Sequence, residues 1–213
     1  MIELYGTPRS RSLRVSWLLE ELALDWQYRF IDFGQGAQHD ADFRALSPEG
    51  KIPVLVDNGE SVAESLAICI FIAEKYAPES WLPMRGSALS AKHWQWCSFI
   101  VSELEQGLWT LAKHKFALPE PQRCPEIANT ARWEFNKAAK TASLLLADSA
   151  YCCGEQITVA DILLAHTLGW ALKSDCVLPE NLVKYYQHMS ARPAMRKALQ
   201  KEIDFAEQQK HTM

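Results

Sequence analysis

The 213-residue sequence lacks any apolar run near the roughly 20 residues that a membrane-spanning helix needs; Leu66–Ala73 and Ile162–Ala165 are among its longest. It also lacks a basic, then apolar, opening. Met1-Ile2-Glu3 leads straight into mixed sequence, so no secretory leader is expected. There is no basic excess: 22 Lys and Arg stand against 26 Asp and Glu, for a net charge of −4. That is a poor footprint for general nucleic-acid binding. The six cysteines form no Cys-x-x-Cys pair, and Cys152-Cys153 are adjacent, which suits neither a disulfide framework nor a metal site. Reduced, mostly buried thiols in a cytoplasmic protein are expected.

Catalytic signatures are scarce as well. Gly34-Gln35-Gly36 begins a dinucleotide-binding pattern, but His39 stands where the third glycine belongs. Gly50-Lys51 is followed by Ile52 instead of Ser or Thr, so it is no phosphate loop. No Gly-x-Ser-x-Gly or His-Glu-x-x-His occurs, and His39, His93, His114, His166, His188 and His211 lack ligand spacing. Metal, nucleotide and serine-hydrolase chemistry are therefore disfavoured.

What is present is a globular composition, with 48% hydrophobic and 23% charged residues. A chain of this length buries about 70% of its surface on folding, enough for a core without staples. Its two halves differ in texture. Residues 1–80 hold 7 basic and 13 acidic residues (−6) and the remainder 15 and 13 (+2). Ile2–Tyr5 alternates as a strand and stops at Gly6-Thr7-Pro8. Over Ser12–Leu22, the residues Leu13, Trp17, Leu18 and Leu22 keep helical spacing, with Arg14, Glu20 and Glu21 off that stripe. Gln27–Phe33 reads as a second strand. Ile52–Val56 and Ser61–Ala63 flank the turn Asp57-Asn58-Gly59, and Ser65–Tyr76 returns to helix. The order βαβ, short helix, ββα is that of a thioredoxin-like domain. Beyond a linker with Pro78, Pro83 and Gly86, helices are expected near 87–116, 125–149, 159–173 and 180–202. The reading is an α/β domain over 1–80 and an all-α domain over 87–213.

Four local features carry chemistry. Pro53, inside a strand-like run, belongs at an edge or bulge, and a cis Ile52-Pro53 bond would leave the Ile52 backbone open to an extended peptide. Ser65 reads as the N-cap of the next helix, whose free N–H groups suit a carboxylate, with Glu64 beside it for an amine. Lys51 can reach a terminal carboxylate. Finally, Thr7-Pro8-Arg9-Ser10-Arg11-Ser12 puts hydroxyls and arginines at the positive end of a helix, where a thiolate is stabilised.

With these residues the chain resembles the cytosolic glutathione transferase family along nearly its whole length. The resemblance lies in Ser10-Arg11-Ser12-Leu13-Arg14-Val15-x-Trp17-Leu18-Leu19-Glu20-Glu21-Leu22 and Ser47-Pro48-x-Gly50-Lys51-Ile52-Pro53-Val54-Leu55. It continues in Glu64-Ser65-x-Ala67-Ile68 and Gly154-Glu155-x-Ile157-Thr158-x-Ala160-Asp161. The last segment has its own reading: Thr158 caps a helix, Asp161 closes a capping box, and Ile157 with Ile162 forms a hydrophobic staple.

The resemblance, to bacterial, serine-type, theta-like members, implies a thioredoxin-like glutathione-binding domain followed by a helical domain. It further implies a homodimer, glutathione as co-substrate and a hydrophobic electrophile bound between the domains. It implies that Ile52, before cis-Pro53, pairs with the cysteinyl backbone of glutathione. Glu64 and Ser65 would hold the γ-glutamyl end, and Lys51, with Gln38 or His39, the glycyl carboxylate. Ser10, placed relative to Arg14, would stabilise the thiolate; Tyr5 and Ser12 stay open as alternatives. Glu103, Gln106, Gly107 and Thr110 would line the electrophile site, with Trp94, Trp96, Trp109 and Trp170 as possible aromatic walls. Detoxifying transfer is the expected reaction. Glutathione-dependent disulfide or peroxide reduction, or a non-catalytic protein-binding role, are the alternatives.

Overall fold

β1 (Ile2–Gly6), α1 (Ser12–Glu21) and β2 (Trp26–Phe30) build the expected βαβ unit, with β1 and β2 parallel and Ile2 opposite Trp26. The structure is a computed structural model that describes residues 1–212, and side chains through residue 209. The side chain of His211 therefore lies outside the described residues. β2 ends earlier than its apolar run, because Asp32-Phe33-Gly34 turns the chain; Asp32 Oδ1 accepts from the Gly34 N–H at 2.8 Å.

A short turn at 37–39 and α2 (Ala41–Leu46) lead to β3 (Val54–Asp57), β4 (Glu60–Ala63) and α3 (Ser65–Tyr76). β3 pairs antiparallel with both β1 and β4, giving the order β2-β1-β3-β4 of a thioredoxin-like sheet. Asn58 (φ 52°) and Gly59 (φ 90°) both have positive φ, which is the turn that matches the twist of a two-residue hairpin. Asp57, buried at its base, accepts from Lys75 Nζ at 2.5 Å and Tyr76 Oη at 2.7 Å, tying the end of α3 to the hairpin.

α1 is buried on nearly every side. Besides Leu13, Val15, Trp17, Leu18 and Leu19, it buries Ser12, Arg14, Ser16 and Glu20. Spacing alone left Arg14 and Glu20 off the apolar stripe; the structure covers both, because α1 packs against α3 and also against the last helix, α9 (Pro193–Thr212). That helix completes the first compact unit, residues 1–82 with 190–213. The helix expected over 180–202 is thus two helices, α8 (Glu180–Ser190) and α9, parted before Pro193, which lacks the N–H a continuing helix needs. Arg192 holds Glu21 through Nε at 2.5 Å and Nη2 at 2.7 Å, and Lys201 Nζ donates to the Trp26 carbonyl at 3.0 Å.

The second unit, residues 83–189, is helical. Ser87 caps α4 (Ala88–Phe99), its side chain accepting from the Ser90 N–H at 3.0 Å. Wide π-type turns at 100–104 and 113–117 interrupt the stretch that continues into α5 (Glu105–Ala112). α6 (Ile127–Leu146) and α7 (Val159–Lys173) follow. Gly107 sits where a Cβ would come within 2.5 Å of the Ala131 carbonyl, so its bare backbone lets α5 and α6 meet. The Thr158–Asp161 capping box is formed at the start of α7. All six cysteines are free, and all but Cys124 are buried.

Candidate functional site

Register gathers the sequence candidates at one end of the first unit's sheet. Tyr5, near the end of β1, pairs with Val54 at the start of β3, and Val54 pairs with Ala63 at the end of β4. The loop into α1, the Ile52-Pro53 step and the Glu64-Ser65 step therefore leave the same end. The Ile52-Pro53 bond is cis, and among the described residues the Ile52 N–H and C=O have no backbone partner.

At the tip of α1, Arg11 occupies the N-cap without a side-chain cap, and Arg9 adopts φ 66°. Ser10 Oγ accepts from the Ser12 N–H at 3.1 Å and lies 3.0 Å from Ser12 Oγ. Ser12 Oγ donates to the Thr7 carbonyl at 3.0 Å and lies 3.4 Å from Tyr28 Oη. Because Ser12 has one proton and Thr7 takes it, Ser10 is the donor within the Ser10–Ser12 pair. Ser12 is fully buried (0% exposed), whereas Ser10 is only half-buried. Tyr5 stacks on Phe43 at 6.1 Å and packs against a cluster of Ile31, Phe43 and Val54. Burial, and then the charge of Glu3, push its hydroxyl above the usual tyrosine range. Of the three hydroxyls, Ser10 alone combines a helix tip, partial exposure and an ordinary alcohol's donor.

The start of α3 corrects one expectation. Glu64, exposed and at φ 68°, occupies the N-cap, and Ser65 is the first helical residue. Ser65 Oγ, one residue inside the helix, does not cap it and instead accepts from Arg14 Nη1 at 3.1 Å, from the fully buried guanidinium on α1. The first turn of α3, beside Glu64, therefore has no side-chain cap on its N–H groups. Arg9 and Glu64, two non-glycine residues at positive φ, thus flank the tips of α1 and α3; such strain persists where the surroundings impose it.

Lys51 is exposed and pairs with Glu49 at 2.5 Å, a contact that lowers the Glu49 carboxyl's pKa. Its backbone is held by Ser47, whose Oγ accepts the Lys51 N–H at 3.0 Å and donates to the Lys51 carbonyl at 2.8 Å. A Cβ at Gly50 (φ 66°) would lie 2.6 Å from the Gln38 carbonyl, which brings residues 38–39 beside this loop. Gln38 Nε2 and His39 Nε2 are 3.1 Å apart, and the buried Gln38 Oε1 has no partner. Ser10, Gln38, His39, Lys51, Ile52, Pro53, Glu64 and Ser65 all belong to the first unit.

The candidates in the second unit lie along one helical stretch and differ in exposure. Glu103 and Gln106 are exposed, and Gln106 Nε2 donates to the Val101 carbonyl, in the π-type turn, at 2.7 Å. Thr110 is half-buried, and Gly107 is spent on the approach of α6. Trp96 is core at 1% exposure, while Trp94 is exposed. Among the described residues, no three His, Cys, Asp or Glu side chains gather as a metal site would. No described helix is long and apolar enough to cross a membrane.

Sequence reasoning missed Arg14 as the partner of Ser65, and missed Gly6, where a Cβ would come within 2.5 Å of Ser12 Cβ. A charged residue inside the apolar run of α1 was the available signal for the first; Gly6 read only as a turn residue.

The N-terminal domain of glutathione S-transferases matches residues 1–74, and the C-terminal domain of the same proteins matches residues 107–193. Glutathione S-transferase 3 of Zea mays is 31% identical over 206 residues, covering 93% of this chain and 93% of its own length. Disulfide-bond oxidoreductase YfcG of Escherichia coli is 29% identical, over 94% of this chain and 95% of its own. The solved glutathione S-transferase from Xylella fastidiosa superposes with a TM-score of 0.82 at 26% identity, over 95% of this chain and 98% of its own.

Proposed function

We propose that this chain, which belongs to the cytosolic glutathione S-transferase family, is a serine-type member in which the Ser10 hydroxyl holds the glutathione sulfur as a thiolate. The observation that carries this reading is the contrast among three hydroxyls: Ser10 half-buried at the tip of α1, Ser12 sealed beneath it, and Tyr5 stacked on Phe43. Ser10 turns its proton from Ser12 to the sulfur and acts as a hydrogen-bond donor, with no covalent step of its own. The open Ile52 backbone pairs with the cysteinyl residue. Glu64 and the first N–H groups of α3 take the γ-glutamyl end, and Lys51, with Gln38 and His39, the glycyl carboxylate.

The magnitudes suffice. Lowering a thiol from about 8.5 by about two pKa units requires about 2.7 kcal/mol. A hydrogen bond to a charged acceptor contributes about 1.5–3 kcal/mol and a helix N-terminus about 0.3–1 kcal/mol. The thiolate then attacks an electrophilic carbon. Family membership also leads us to expect a homodimer and a cytoplasmic location, which sedimentation and cell fractionation test.

Replacing Ser10 by Ala is expected to lower kcat/KM for an aryl halide by about 10- to 100-fold. The same change should raise the pKa of the bound thiol, read from thiolate absorbance. Unchanged values would move the role to another group. Likeness to a disulfide-bond oxidoreductase favours a second reading, in which the same thiolate attacks a disulfide. Rates on a mixed disulfide and on the aryl halide, measured side by side, separate the two.

A further inference from the structure

One buried carboxyl has no part in the chemistry above. Glu202, in the middle of α9, is fully buried (0% exposed) between Ala198 and Ala206, which are themselves buried one turn to either side. Its Oε1 accepts from Ser16 Oγ at 2.8 Å, and its Oε2 has no partner. An apolar side chain would pack on this face without leaving a buried polar atom unpaired.

What lies around the carboxyl explains why a polar group stands there. Ser16 and Ser12 are one turn apart on the buried side of α1, so the carboxyl that Ser16 holds lies one turn from Ser12. Tyr28 on β2 feels its charge. From Ser12 the hydroxyl pair runs 3.0 Å onward to Ser10. The other charged groups on the packed elements are engaged elsewhere. On α1, Glu20 takes Trp26 Nε1 at 2.9 Å and Lys197 at 2.6 Å, and Glu21 takes Arg192. On β2, Arg29 pairs with Glu3; on α9, Lys201 reaches the Trp26 carbonyl and Asp204 accepts from Gln200.

Proton accounting gives the carboxyl a task. Ser12 donates to Thr7 and accepts from Ser10. When Ser10 turns its proton toward a thiolate, the buried Ser12 oxygen loses that donor. We propose that Glu202 is a positioning residue for the Ser10 hydroxyl, its carboxyl proton standing behind Ser12 to replace the hydrogen bond that Ser10 withdraws. This inference rests on the assignment of Ser10 above. Burial pushes the Glu202 pKa up to about 8, against the opposing pull of the Ser16 hydroxyl, so the side chain is the neutral acid at neutral pH. Once ionised it has no proton to give and sets a negative charge beneath the thiolate. By linkage, thiolate binding and the Glu202 proton support each other.

The test uses the full-length protein and glutathione itself. Dissociation constants and thiolate absorbance are measured across the window of the Glu202 ionisation for wild type, Glu202→Gln, Ser16→Ala and Ser10→Ala. In wild type, affinity falls on the alkaline side with an inflection near 8. Glu202→Gln removes that inflection, so the ratio of variant to wild-type affinity changes by roughly threefold or more between about pH 7 and 9. Ser16→Ala, which takes a hydrogen bond from the charged form, moves the inflection to higher pH and stands in if the Gln variant fails to fold. A flat ratio for Glu202→Gln, or an unmoved inflection for Ser16→Ala, overturns the role of Glu202 while an altered Ser10→Ala titration leaves Ser10 in place. An unaltered Ser10→Ala titration overturns both.

Discussion

The two units bury carboxyls in opposite ways. In the second, Asp161 is fully buried and saturated: it accepts from the Cys152 N–H at 2.7 Å, the Thr158 N–H at 2.7 Å, Thr158 Oγ1 at 2.8 Å and Tyr185 Oη at 2.7 Å. In the first, Glu202 is equally buried and receives Ser16 alone. A saturated acceptor joins α7 to α8 and to the loop before α7, so it serves folding. A half-satisfied one, held against the middle of α1 by Ser16, is a stability cost.

Removing the saturated group has the largest expected effect. Asp161→Ala leaves those donors unpaired and lowers stability by on the order of 3–4 kcal/mol in urea unfolding. Glu202→Gln costs no more than about 1 kcal/mol on the acid side of neutrality, where the native side chain is already neutral. Equal losses would break the comparison. The tight glycines sharpen it at a smaller scale. Gly107→Ala drives a Cβ into the Ala131 carbonyl and costs about 1–3 kcal/mol. Gly6→Ala meets Ser12 Cβ at 2.5 Å and Tyr28 Oη at 3.0 Å, so it displaces the tip of α1. Besides a similar loss of stability, it weakens glutathione affinity by about tenfold.

The pH dependence separates the units as well, and there they differ in sign. Burial lowers the pKa of His93 from 6.5 to about 4, so its contribution to stability is complete above 6.5 and lost as pH falls through 4. Burial raises Glu202 from 4.5 to about 8, so its contribution is complete below 4.5 and lost as pH rises through 8. Thermal midpoints of His93→Gln should flatten on the acid limb and those of Glu202→Gln on the alkaline limb. The reverse pattern would undo both assignments.

Local chemistry was legible wherever partners are near in the chain. Asp57-Asn58-Gly59 makes its hairpin because two adjacent positions accept positive φ. Thr158 and Asp161 close their box across three residues, and Pro193 stops a helix by what it lacks. Ser65 was misread as a cap, because nothing local shows that Glu64 takes φ 68° or that Arg14 claims the Ser65 hydroxyl.

Residue order alone determined the run of strands and helices through α3, the edge position of Pro53 and the set of polar residues at the sheet's end, since these depend on backbone sterics and short-range hydrogen bonds. Packing alone decided that Ser12 is sealed while Ser10 is reachable. It also decided that Arg14 and Glu20 are interior, and that Glu202, 186 residues from Ser16, stands beneath the first helix. A buried charge tolerates its position only through groups brought to it from elsewhere, and periodicity within one helix carries no record of them.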